Sequence, residues 1–295
     1  MTSAAPARRA ASRSEFIRIR GLRYHVRRWG DPRQPLLIFG HGFLDASATF
    51  DDLVQPLLDV CQVVAPDWRG LGHTEWPADG YWFPDYVADL DALIDHYAGP
   101  EAPLWLAGHS MGAQVASLYA GLRPSRVSRL VVLDGLASPD APAALAPERY
   151  RRWLRQLRQP MRVKTYASFA ALAERVRIQH PQLDGARALF VAHGWGCEDG
   201  RGRVRLLADP RHRLNMPSLY RAAESKAIWR QIAAPTLFVD GGDSPFMTVL
   251  SAEERAERRA CFAQRAEAVI AGAGHMLHFD RPRETGERIA AFLRA

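Results

Sequence analysis

An α/β fold with a mostly parallel sheet follows from three features of the sequence. Apolar runs recur at 36–39, 62–65, 104–107, 130–133 and 236–239, each suited to a strand covered on both faces. Helix-periodic segments separate them, at 50–58, 86–94, 113–122 and 284–294. Strands alternating with helices favour parallel pairing, right-handed crossovers and helices on both faces of the sheet. The third feature is a break in that alternation between residues 137 and 226. Ligands of such a fold bind outside the carboxyl ends of the strands.

Residues 16–21 and 22–29 alternate apolar and basic side chains, which predicts an antiparallel edge pair with one solvated face. A weaker strand signal lies at 268–271. The 137–226 stretch is helical in pattern at 148–154, 169–176 and 218–229, and Pro139, Pro142 and Pro147 mark its entrance. It is expected to be a helical insertion over the carboxyl edge, because the β/α pattern resumes at Ala234-Pro235-Thr236. Residues 1–14 lack the continuous apolar stretch of a secretory signal and are expected to be a disordered tail. The core is then 15–136 plus 227–295.

With 295 residues, 47% of them hydrophobic, the chain is globular and can bury a large core. The formal charge of +7 comes mostly from scattered arginines, without a nucleic-acid motif, so no nucleic-acid partner is expected. Cys61, Cys197 and Cys261 are widely spaced and odd in number, which argues against a disulfide framework. Cys61 and Cys261 read as buried thiols. No apolar run reaches the ~18 residues of a membrane span. A soluble cytoplasmic protein is the expectation, with its oligomeric state open.

The chemistry begins at Gly108-His109-Ser110-Met111-Gly112, which follows the apolar run 104–107 and precedes a helix-like stretch. A G-x-S-x-G turn between strand and helix strains the serine and lifts its hydroxyl clear of the sheet. A serine hydroxyl needs a base, and the base needs an orienting group. His275, in Gly272-Ala273-Gly274-His275-Met276, follows the last strand and is the best candidate base. His109 adjoins the serine but is expected to point away from it, and His278 lies one helical turn beyond His275. An oxyanion hole needs two backbone donors: Met111 supplies one, and Phe43, in Phe39-Gly40-His41-Gly42-Phe43, is expected to supply the other. No cluster has convincing metal spacing, and His193 and Cys197 read as loop residues. Gly40-His41-Gly42 lacks the third glycine of a dinucleotide fingerprint, so no cofactor is expected.

Taken together, His41-Gly42, the segment Asp67-Trp68-Arg69-Gly70-Leu71-Gly72-His73, the turn at 108–112 and Gly274-His275 resemble the α/β-hydrolase fold superfamily. The resemblance runs from about residue 16 to residue 294. The stretches 41–45 and 132–136 are similar to its serine hydrolase-like subgroup. It implies an eight-stranded sheet with a helical cap inserted after the sixth strand. Asp67 and Arg69 read as turn residues. Trp68, Trp76, Trp82 and Phe83 are candidates for pocket wall or for packing.

The acid departs from the family pattern. The resemblance places it after the seventh strand, at the end of G-x-x-D, where this chain has Ser244 in Gly241-Gly242-Asp243-Ser244. The family's alternative position, after the sixth strand, falls on Asp134, which is preferred here. Asp243 and then Asp240 remain alternatives.

The resemblance implies hydrolysis of a small-molecule carboxylic ester, thioester or amide through an acyl-enzyme. Dehalogenases and epoxide hydrolases of this fold need an aspartate where Ser110 stands. Carbon–carbon bond hydrolysis, a perhydrolase activity (Met111 follows the serine) and a ligand-binding receptor that keeps the triad remain open.

Overall fold

The computed structural model describes residues 10–100 and 102–295. Strands β1 (Arg13–Ile19) and β2 (Leu22–Trp29) form the expected antiparallel pair, joined by Arg20 and Gly21 at φ 46° and 86°. Two positive φ angles in a two-residue loop match the twist of a hairpin. Residues 1–9 of the expected tail lie outside the described residues, while Arg13 and Ser14 already belong to β1. The chain continues through β3 (Leu36–Gly40), β4 (Gln62–Pro66), α1 (Phe83–Ala98), β5 (Leu104–His109), α2 (Met111–Leu122) and β6 (Val127–Leu133). The helix expected at 50–58 is instead two short 3-10 turns, Ser47–Phe50 and Gln55–Leu57. Pro56 supplies no N–H, so a continuous helix cannot run through it.

After β6 come α3 (Ala146–Leu157), β7 (Thr165–Tyr166), α4 (Phe169–Gln179), α5 (Gly185–Trp195), β8 (Gly196–Glu198), β9 (Val204–Leu206) and α6 (Ala222–Trp229). The stretch is not purely helical: β7, β9 and β8 form a small antiparallel sheet. These strands are two or three residues long, too short to leave a period in the sequence. His193 ends up in α5 and Cys197 in β8 rather than in a loop. Helix α6 starts at Ala222, where the Asp140 side chain accepts the backbone N–H at 2.5 Å. It crosses the boundary expected at 226 and packs on α2, with Trp229 Nε1 donating to Ser117 Oγ at 3.1 Å.

The chain closes with β10 (Thr236–Gly241), α7 (Ala252–Arg259), β11 (Arg265–Ile270), α8 (Leu277–Asp280) and α9 (Pro282–Arg294). Sheet order is β1-β2-β4-β3-β5-β6-β10-β11, antiparallel at β1/β2 and β2/β4 and parallel elsewhere. Successive central-strand residues feed opposite faces. Ile38, Val64, Leu106, Val132 and Phe238 pack with α1, α2 and Trp229. Leu37, Val63, Ala107, Val131 and Val239 pack with Phe50, Leu53 and α9. Both faces are thus covered, which is why these strands read as unbroken apolar runs. Cys61 and Cys261 are buried within this packing, and burial pushes the Cys61 thiol up to about 12. No helix among the described residues is long and apolar enough to cross a membrane.

The loop after β4 is fixed by buried charge. Arg69 binds Asp89 of α1 through two bonds of 2.6 Å, and the Tyr24 hydroxyl and Arg20 complete the coordination of that carboxylate. Asp67 accepts from Ser47 N at 2.7 Å, His25 Nδ1 at 2.7 Å and His73 N at 2.8 Å. Both residues are structural anchors rather than plain turn residues. Asp89→Asn should destabilise the fold by about 3–5 kcal/mol, because it leaves Arg69 buried without its bidentate partner. Urea unfolding measures this; a loss below about 1 kcal/mol would place the pair among weak surface bridges.

Burial alone would raise the Asp67 pKa, but the His25 hydrogen bond and charge outweigh it, and the carboxyl is held below its ordinary range. A depressed folded-state pKa contributes stability above the unfolded value of about 3.9 and loses it as pH falls further. The thermal midpoint should therefore drop steeply below about pH 4. Asp67→Asn should flatten that acid limb; an unchanged limb would show that other carboxylates control it.

Candidate active site

Ser110 joins β5 to α2 at φ 52° and ψ −114°, a backbone conformation that L residues rarely adopt. Close approach enforces it. A Cβ on Gly108 would collide with the Gly112 backbone, and one on Gly112 would collide with the carbonyl of Gly40. A Cβ on Gly42 would sit 2.8 Å from His109 Nδ1 and 3.3 Å from Ser110 Cβ. The loop after β3 is therefore pressed directly against the serine.

That loop is held by His41, which is fully buried. Its Nδ1 donates to Gly42 O at 2.8 Å, and its Nε2 accepts the Trp68 backbone N–H at 2.9 Å. Burial lowers the His41 pKa, in keeping with a neutral ring that donates from one nitrogen and accepts at the other. Trp68 Nε1 returns a bond to His41 O at 2.9 Å, so this residue packs and braces rather than lining a pocket. Neither Phe43 N nor Met111 N donates to another residue among those described. Met111 opens α2, where the first N–H groups lack intrahelical partners.

His275 lies in the loop after β11, and its Nδ1 is 2.6 Å from Asp134 Oδ2. A carboxylate oxygen accepts here, so Nδ1 donates, and in the neutral ring that leaves Nε2 as the acceptor. Asp134 is buried, sits at φ 40° after β6, and is surrounded by donors. Ser244 Oγ donates to its Oδ2 at 2.5 Å, and Gly241 N donates to its Oδ1 at 3.3 Å. The alternatives lie elsewhere. Asp243 is exposed and anchors the loop through its backbone N–H to Ala273 O at 2.9 Å. Asp240 pairs with Arg259; burial raises its carboxyl pKa and Arg259 opposes that rise.

The histidines form a second layer that spacing did not reveal. His109 does not simply turn away: its Nε2 donates to the backbone carbonyl of His275 at 2.8 Å. Its ring centroid lies 4.7 Å from those of both His275 and His278. His278 Nε2 bonds Asp45 Oδ2 at 2.9 Å, and Asp45 also accepts from Trp195 Nε1 at 2.8 Å. Burial and then the neighbouring His275 and His278 hold the His109 pKa well below its ordinary value. Asp45, His109 and His278 bring possible ligand atoms within 4.8 Å of one another, a grouping invisible in sequence because they lie in three distant segments. The carboxylate is already engaged by Thr49, Trp195 and His278, so the grouping works as a hydrogen-bonded brace beneath the His275 loop.

Residues of the inserted stretch reach this edge. Besides Trp195, Tyr81 OH meets Asp209 at 2.8 Å and Trp76 Nε1 meets Leu207 O at 3.1 Å. Trp76 thus ties a core loop to the insertion. Trp82 and Phe83 instead line a separate groove beside α2. Phe43, Asp45, Leu172, Trp195 and Met276 line a cavity of about 430 Å³ between the loop after β3 and the insertion.

The family model described as "alpha/beta hydrolase fold" matches residues 35–282. The chain is 33% identical over 238 residues to the 3-hydroxybutyrate-oligomer hydrolase of Cupriavidus necator, covering 76% of this chain and 77% of that one. It is 37% identical over 112 residues to a serine hydrolase-like protein of Danio rerio, covering 36% of this chain and 32% of that one. Among solved structures, the thioesterase domain from the curacin biosynthetic pathway superposes with a TM-score of 0.81 at 24% identity, covering 97% of this chain and 100% of that chain, a likeness of fold alone. With the matched model spanning most of its length, the chain belongs to the α/β-hydrolase fold family.

Proposed function

We propose that this chain is a serine hydrolase that cleaves carboxylic esters or thioesters through an acyl-enzyme. The 2.6 Å contact between His275 and Asp134, together with a serine held at φ 52° at the end of β5, carries the reading. Ser110 Oγ attacks the substrate carbonyl carbon while its proton passes to His275 Nε2. The oxyanion is met by the N–H groups of Phe43 and Met111. Collapse breaks the carbonyl–oxygen (or carbonyl–sulfur) bond, and the leaving group takes the proton from His275. Water then attacks the acyl-enzyme, gives a proton to the same nitrogen, and Ser110 leaves with that proton restored.

Asp134 fixes the tautomer and offsets the imidazolium charge. Ser244 supports Asp134 by a hydrogen bond instead of replacing it. Residues 137–226 serve as the cap, and the cavity beneath it receives the substrate. The relative from Cupriavidus necator, named for hydrolysing oligomers of a hydroxy acid, supports an ester-type substrate.

Ser110→Ala should lower kcat for p-nitrophenyl butyrate by on the order of 10⁶-fold, as in other serine hydrolases, while circular dichroism stays unchanged. Retention of more than about a tenth of the activity would place the chemistry elsewhere.

Asp134→Asn should lower kcat by roughly 10⁴-fold, and Asp243→Asn far less. Ser244→Ala removes one hydrogen bond to a charged group, so a loss of about 10- to 100-fold is expected. The reverse ranking of Asp134 and Asp243 in steady-state kinetics would overturn the assignment of the acid.

A further inference from the structure

The cavity beneath the insertion carries an unbalanced charge. Lys164, just before β7, Arg175 of α4 and Arg213, in the turn after β9, all line it. None of the three makes a side-chain hydrogen bond or ion pair among the described residues. Other arginines of the same insertion are engaged: Arg177 with Glu174, Arg203 with Asp199 and Arg211 with Asp209. The carboxylate that also lines the cavity, Asp45, is buried and committed to His278, Trp195 and Thr49. His180, also on the wall, is held toward its neutral form by burial. Between the cations lie apolar surfaces, Leu172, Trp195 and Leu207. At the core side lie Phe43 and Met276, the latter adjoining His275 in sequence.

We propose that this cavity is a subsite for a free carboxylate borne by the ester substrate, held by Lys164, Arg175 and Arg213. The assignment deepens the hydrolase reading above and rests on it. Guanidinium groups match a carboxylate with paired N–H donors, while the ammonium of Lys164 adds a movable point charge. An exposed cation alone attracts weakly, but three that face one cavity of small-molecule size add their fields where solvent is partly excluded. The apolar wall accommodates the carbon chain between that carboxylate and the reacting carbonyl at the Phe43 end. Salt should weaken the interaction, since all three side chains remain open to solvent.

Binding and turnover test separate parts. Calorimetry on the Ser110→Ala protein compares monomethyl glutarate with dimethyl glutarate, so no reaction intervenes. The monoanion should bind at least about tenfold more tightly, consistent with charge-assisted hydrogen bonds. The triple variant Lys164→Gln, Arg175→Gln, Arg213→Gln should erase that preference, whereas Arg230→Gln, an equal loss of charge per site outside the cavity, should keep it. In the otherwise native enzyme, p-nitrophenyl hemiglutarate should outpace its methyl ester in kcat/KM, chiefly through KM, and the triple variant should equalise them. Equal binding of the two glutarates, a preference that survives the triple variant, or tighter binding of methyl phosphate would overturn the carboxylate subsite. A native enzyme that turns over neither ester, or whose turnover survives Ser110→Ala, with the binding preference intact would instead refute the hydrolase reading.

Discussion

The organisation of the site depends on one steric constraint, the contact of two backbones at the turn after β5. Gly108 and Gly112 let strand, turn and helix fold back on themselves, and Gly112 also rests against the carbonyl of Gly40. Because nothing larger than hydrogen fits at these points, the loop after β3 and the N-terminus of α2 meet at Ser110. The serine's φ of 52° is the local expression of that contact. Packing on both sheet faces holds the strained conformation in place, as persistent backbone strain requires.

The histidine is positioned by a different device. Its ring is oriented by Asp134, and its backbone carbonyl is held by His109 from the residue before the serine. The same short turn therefore presents the serine on one side and braces the histidine loop on the other. Behind His109, Asp45 and His278 tie the α8 segment to the loop after β3. A neutral His109 suits this role, because a second cation beneath His275 would oppose the charge that the proposed mechanism develops there.

Much of the fold was legible because the central strands are buried on both faces. Each gives an apolar run, and the single G-x-S-x-G turn lies between a run and a helix. What escaped the sequence has local physical causes. Pro56 broke a helix whose apolar spacing looked continuous, and the two- and three-residue strands of the insertion carry no period. His109 was expected to point away from the serine, but its bond to the His275 carbonyl was not foreseen, because spacing says nothing about a carbonyl more than a hundred residues later. Arg69 looked like a turn residue since its partner Asp89 sits in the middle of α1, where an acidic residue reads as solvated surface.

Ser244 shows how a site can depart from its family's pattern without losing its electrostatics. A serine there cannot offset an imidazolium, yet its hydroxyl adds a short donor to a buried carboxylate on the neighbouring strand. Asp134 thus accepts from Ser244, Gly241 N and His275 together. Donors of this kind satisfy a carboxylate that burial removes from water. The consequence is a division of labour between β6 and β10: one strand end carries the carboxylate, and the other supplies two of its hydrogen bonds. A carboxylate in place of Ser244 would set two like charges side by side at one histidine, an arrangement that disfavours ionisation of both.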